Sequence, residues 1–130
     1  MKRIAIAIVR HHGKYLVGQR PVGVALAGLF EFPGGKIESG ETSSEAAVRE
    51  CLEEAGIEVI AEELLLQHRE VYPHGEVQLD FWDCIPLEKI EDLPVNSPFY
   101  WALASELCEL EFPEGNREIL ALIHEREGLE

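Results

Sequence analysis

Glu50, Glu53 and Glu54 stand at one-turn spacing within EFPGGKIESGETSSEAAVRECLEEAGI, residues 31 to 57. Like charges one turn apart on a helix repel by roughly 0.2–0.5 kcal/mol per pair, so a helix that gathers them needs a reason. A solvated polar face is one. The other is a hard divalent cation, Mg²⁺ or Mn²⁺, whose preference for oxygen ligands turns the repulsion into coordination. Arg49 is spaced to pair with Glu45 and Glu53 four residues away, while Glu50 and Glu54 have no basic neighbour on the helix. That imbalance favours the metal.

The elements that must hold these carboxylates are legible around them. Thr42-Ser43-Ser44-Glu45 is a capping box, which starts a helix at about Thr42. Ala47, Val48, Cys51, Leu52 and Ala55 form its apolar stripe, and Gly56 takes the C′ position that ends it. Arg49 and the three glutamates occupy the opposite face. Upstream, Ile4, Ile6 and Ile8 alternate with small Ala5 and Ala7, a strand pattern; His12-Gly13 turns the chain into a second strand over Tyr15 to Arg20. A loop through Pro21 to Leu29 leads into the Gly-Gly segment. Downstream, Leu64 to Tyr72 and Val77 to Cys84 read as strands joined by Pro73-His74-Gly75, and Pro86 to Phe99 reads as a loop. A last helix begins near Gly115 or Asn116, with Ile119, Leu122 and Ile123 inward. Strands, helix, strands, helix predict an α/β (α+β) domain with a mixed sheet between helices.

Gly35, Glu41, Arg49-Glu50-Cys51, Glu53-Glu54, Gly56 and Ile57 match G-x5-E-x7-R-E-U-x-E-E-x-G-U, the Nudix box, where U is bulky and apolar. At roughly one in fifteen per fixed position, a chance match at a given start is on the order of 10⁻⁸. LFEFPGGKIESGET and FPEGNREILALI also resemble the entry segment and C-terminal helix of the MutT-like branch of Nudix hydrolases, so the likeness covers nearly the whole chain, 1 to 130, as one Nudix domain. The resemblance implies a mixed sheet sandwiched between helices, with the box as loop-helix-loop. It also implies Mg²⁺-dependent pyrophosphohydrolysis, with Mn²⁺ as a substitute, of a nucleoside diphosphate linked to another group.

Position by position, the resemblance makes Glu50 and Glu54 metal ligands and Glu53 a ligand or the general base. The Gly34 carbonyl is a further candidate ligand, and Arg49 orients the carboxylates. Gly35 lets the backbone turn where a side chain could not fit, and Glu41 holds the loop to the helix. Arg20, Phe32 and Asn116 fall where MutT-like enzymes hold the nucleotide. Arg20 is suited to phosphate or base, Phe32 to stacking or to the core, and Asn116 to a purine edge or to a helix N-cap. The pattern breaks in one place: a glutamate often precedes the tryptophan that matches Trp101, and here Pro98-Phe99-Tyr100 stands there. Asp80, among Val77, Leu79 and Phe81, is either a base selector or an outward strand residue, the second being favoured. His11, His12 and His74 fall in turns and read as solvated.

Composition limits the partners. With 25 acidic against 11 basic residues the formal charge is −14, which repels a nucleic-acid polymer and requires a phosphate substrate to arrive with cations. Cys51, Cys84 and Cys108 are far apart and odd in number, as expected of packed reduced thiols in a cytoplasmic protein. The apolar run Ile4 to Val9 is too short for a membrane span or a signal segment. The substrate that the resemblance implies is a small-molecule nucleoside triphosphate cleaved to monophosphate and pyrophosphate. An oxidised purine such as 8-oxo-dGTP, removed by a housecleaning enzyme, leads. A pyrimidine such as CTP or dCTP is the rival, and a non-catalytic nucleotide-sensing module is the alternative that full retention of the glutamates disfavours.

Overall fold

The computed structural model describes residues 1–129. Its centre is β1 (Lys2–His11), which runs parallel to β6 (Gly75–Pro86) from Lys2↔Val77 to Val9↔Cys84. The other edge of β1 pairs antiparallel with β4 (Gly34–Lys36) and then, at Arg10 and His11, with β2 (Lys14–Gln19). β5 (Val59–Tyr72) pairs antiparallel with β6, while β3 (Phe30–Glu31) and β7 (Phe99–Leu103) flank β2. The result is a mixed sheet, as the sequence predicts.

Alternation along β1 builds two cores. Ala5, Ala7 and Val9 face α1 (Ser43–Ala55) with Cys51, Ala55 and Cys84, and the two small alanines let the helix backbone come close. Ile6 and Ile8 face the other way, towards Phe81 and α3 (Arg117–Arg126), where Ile119 and Ile123 are buried. Helices thus cover both faces. A four-residue α2 (Ala104–Leu107) and a 3₁₀ turn (Glu114–Asn116) complete the C-terminal half.

Several expectations are corrected. On α1, Ala46 is buried in place of Leu52, which is exposed, because the helix presents its alanine edge to β1. Cys108 is exposed, and all three thiols are free. β5 begins at Val59, five residues before the predicted start; register shifts between Ala61/Glu63 and Leu64/Leu66 break the alternation that would have marked it. His11 is not simply solvated: its Nε2 donates to the Ile90 carbonyl at 2.6 Å, and its ring packs on Trp101. Among the described residues no helix is long and apolar enough to cross a membrane.

Candidate active site

The helix bearing the glutamates is started by a complete capping box. Thr42 Oγ1 accepts from the Glu45 amide at 3.2 Å, and Glu45 Oε1 accepts from the Thr42 amide at 2.8 Å. Gly56 closes the helix in the left-handed conformation, φ 77°, with its amide bonded to the Leu52 carbonyl. Because Glu45 is spent on the cap, it does not pair with Arg49 as its spacing suggested.

Arg49 is instead the hub of the carboxylate face. Its guanidinium takes Glu41 in a fork (Nε to Oε2 2.6 Å, Nη2 to Oε1 3.0 Å) and also donates to the Lys36 carbonyl at 3.0 Å. Its remaining nitrogen, Nη1, donates to Glu50 at 2.9 Å and Glu53 at 3.0 Å. Glu50 therefore does have a basic neighbour, the adjacent Arg49, contrary to the expectation from helical spacing; the long arginine stem folds back over it. Glu41 also accepts from the Glu38 amide at 3.0 Å, so the loop is tied to the helix as expected, and these donors hold the Glu41 carboxyl below its ordinary range.

Gly35 is required by close approach. A Cβ there would lie 2.4 Å from the Glu50 carboxyl carbon, so any side chain would drive that carboxylate away. Next to it, the Gly34 amide donates to Glu54 Oε1 at 3.0 Å. Solvent reaches part of Glu54. Desolvation nonetheless pushes its carboxyl up to about 7, with Glu50, Glu31 and Glu53 adding to the rise and the Gly34 hydrogen bond opposing it. This is crowded negative charge without enough compensation.

Among the described residues no group of three or more His, Cys, Asp or Glu side chains is arranged to hold an ion as it stands. Glu50 and Glu53 are turned onto Arg49, and Glu54 onto the Gly34 amide. The donor set still suits a hard cation: every side-chain donor is a carboxylate oxygen, all three lie on α1, and Glu54 carries the crowded charge that a cation relieves.

Beside this face opens a cavity of about 260 Å³ lined by Arg20, Phe32, Glu70, Leu79 and Asn116 among others, and by Gly34, which it shares with the carboxylate face. The structure thus brings the three predicted nucleotide-contact residues to one pocket. Arg20 donates to the Ala25 carbonyl at 2.7 Å and to Glu31 at 2.8 Å, which fixes its guanidinium at the rim. Phe32 is buried and stacks on Phe112, ring centroids 5.0 Å apart, so it is core on one side and pocket wall on the other. Asn116 sits at the head of α3 without a side-chain cap bond; its Nδ2 makes only a long 3.4 Å contact to the Pro113 carbonyl. A separate hollow of about 430 Å³ between Leu52 and Leu87 lies away from all of these groups.

Asp80 is corrected outright. It is not an outward residue but fully buried, accepting from Ser43, Arg3, Gln67 and Gln78. It also lies on the α1 side of β6, whereas Val77 and Leu79 line the pocket, so it does not face a bound base. Before Trp101, Tyr100 belongs to a neighbouring hollow, and no carboxylate takes that place. Sequence reasoning missed two acids at the pocket. Glu31, the residue before Phe32, is paired with Arg20, and Glu70 on β5 is paired with His68. The signal for Glu31 was its adjacency to the Phe-Pro-Gly-Gly run; Glu70 lay hidden by the bulged register of β5.

The family model described as NUDIX domain matches residues 4–122. The chain is 32% identical over 123 residues to the 8-oxo-dGTP diphosphatase of Escherichia coli (strain K12), covering 92% of this chain and 93% of that protein. It is 39% identical over 82 residues to the CTP pyrophosphohydrolase of the same organism, 63% of this chain, and spans 61% of that relative's length. The solution structure of the E. coli ORF135 protein superposes with a TM-score of 0.73 at 30% identity, over 93% of this chain and 86% of that one.

Proposed function

Since the chain belongs to the NUDIX domain family, we propose that it is a divalent-cation-dependent pyrophosphohydrolase that cleaves a nucleoside triphosphate to a monophosphate and pyrophosphate. The observation that carries this is the shared Gly34: the backbone whose amide holds Glu54 also lines the pocket formed by Arg20, Phe32 and Asn116. A base in that pocket leaves its phosphates facing the carboxylates.

Glu50 and Glu54, with the Gly34 carbonyl, would hold Mg²⁺, or Mn²⁺ in its place. The cation, when bound, supplies neutralisation of phosphate charge and a more acidic water. The rest falls to the chain. Glu41 braces Arg49, and Arg49 sets the aim of Glu50 and Glu53. Glu53, the most open of the carboxylates on Arg49's Nη1, takes the proton from the attacking water. The water oxygen bonds to phosphorus, the phosphoanhydride bond breaks, and pyrophosphate leaves. Arg20 and Asn116 offer polar contacts and Phe32 an apolar wall to the base. An oxidised purine such as 8-oxo-dGTP is the leading substrate, supported by the relative aligned along most of this chain. A second reading, CTP or dCTP, is supported by the relative with higher identity over a shorter span.

A nucleotide panel assayed with Mg²⁺, scoring pyrophosphate and phosphate separately, tests the reading. The expected outcome is pyrophosphate release that EDTA abolishes and excess Mg²⁺ restores. Full turnover in EDTA would remove the mechanism.

A further inference from the structure

Glu70 brings a carboxylate to a pocket where a nucleobase is the proposed guest. It does not hang there freely. His68 Nε2 donates to Glu70 Oε1 at 2.8 Å, while Nδ1 of the same ring donates to Glu118 Oε1 at 2.7 Å. An imidazole can donate from both nitrogens only as the cation. The two carboxylates push the His68 pKa up, Glu70 most of all. His68 thus bridges β5 to α3. Its ring lies close beneath the 3₁₀ turn: a Cβ at Gly115 would stand 3.9 Å from His68 Cδ2 and 3.1 Å from Leu79 Cδ1. Gly115 adjoins Asn116, so the ring that holds Glu70 also lies beneath the segment that carries the amide.

A carboxylate held in this way accepts hydrogen bonds and donates none. It stabilises a base edge that presents N–H groups and repels one that presents a carbonyl oxygen. We propose that Glu70, aimed by His68, makes this pocket select nucleobases that bear an exocyclic amino group over their oxo counterparts. The inference rests on the reading that the pocket takes the base of a nucleotide. Cytosine, adenine and guanine all meet the requirement, and the test separates them.

The experiment compares matched amino and oxo pairs, CTP against UTP, ATP against ITP and GTP against XTP, as kcat/KM for hydrolysis. In parallel, CMP against UMP, AMP against IMP and GMP against XMP are compared by calorimetric binding, which needs no turnover. In at least one pair the amino partner should be favoured by about tenfold or more, the scale of one good base-edge contact. Glu70→Gln, of equal size but able to donate as well as accept, should bring that ratio close to one. His68→Gln should lower it in part while the melting temperature stays within a few degrees, and it serves if Glu70→Gln does not fold. The responding pair identifies the base. Ratios near one in the unaltered protein, or a ratio unmoved by both substitutions, overturn the proposal. Turnover with flat ratios fails this inference and leaves the hydrolase standing. Selective monophosphate binding without turnover does the reverse.

Discussion

Burial, Glu50, Glu31 and Glu53 all push the Glu54 carboxyl up, to about 7, against the hydrogen bond from Gly34. A carboxylic acid whose pKa is raised in the fold binds its proton more tightly there than in the unfolded chain, where about 4.3 is usual. Its ionised form therefore destabilises the metal-free protein. That cost is absent below about pH 4, grows as pH rises, and is complete above about pH 7. The metal-free melting temperature should accordingly fall across this window, and Glu54→Gln should flatten the fall and melt higher than the parent at pH 8. The same substitution should reduce kcat at least about tenfold, because an amide is a poor ligand for a hard cation. Thermal melts at pH 5 and pH 8, beside Mg²⁺ titrations of activity, check both halves. Turnover near that of the parent would show that Glu54 is no ligand. The metal face was legible residue by residue because the box fixes types and spacing together. The pairing of Arg49 with Glu50 was not, since helical geometry alone does not place neighbours i and i+1 face to face.

α1 is anchored at both of its ends, to the sheet at the first and to the loop before β7 at the last. Ser43 in the first turn donates to Asp80 at 2.6 Å and accepts from Trp82 Nε1 at 2.8 Å, while the Ala55 carbonyl accepts from the Asn96 amide at 2.8 Å. Burial alone pushes the Asp80 carboxyl up, but the donors around it, Ser43, Gln78, Gln67 and Arg3, outweigh that and hold it ionised below its ordinary value. Asp80→Asn would turn an amide NH₂ towards at least one of these donors, a loss of about 1–3 kcal/mol for a buried unsatisfied group. Denaturant unfolding should show that loss, while the ratio of purine to pyrimidine turnover stays unchanged because Asp80 does not line the pocket. A changed ratio would return Asp80 to base selection. Long elements with strong period or caps, β1 and α1 above all, were readable from sequence. β3, β4, β7 and α2, of two to five residues each, were not. The three short strands form because β1 and β2 present edges to them, which is tertiary information rather than local propensity. The burial of Asp80 was equally hidden, since its partners come from β1, α1 and β5.

At the scale of the whole molecule, a formal charge of −14 surrounds a pocket that is proposed to receive a phosphorylated anion. Raising salt from about 10 to about 150 mM shortens the screening length from about 30 Å to about 8 Å. With free Mg²⁺ held constant, kcat/KM should rise over this range while kcat stays level, because repulsion opposes encounter and not chemistry. A falling kcat/KM would mean that Arg20 and the bound cation set the local field. The β1–β6 ladder bears on how the molecule comes into being. Lys2 through Val9 pair with Val77 through Cys84, so the strand at the centre of the sheet is synthesised some 75 residues ahead of its parallel partner. At about 5–20 residues per second, β1 leaves the ribosome roughly 4–15 s before that partner does. Its isoleucine-rich edge is an unpaired template throughout that interval. The β1–β2 hairpin and β4, both of which follow β1 closely in the chain, can cover only its opposite edge.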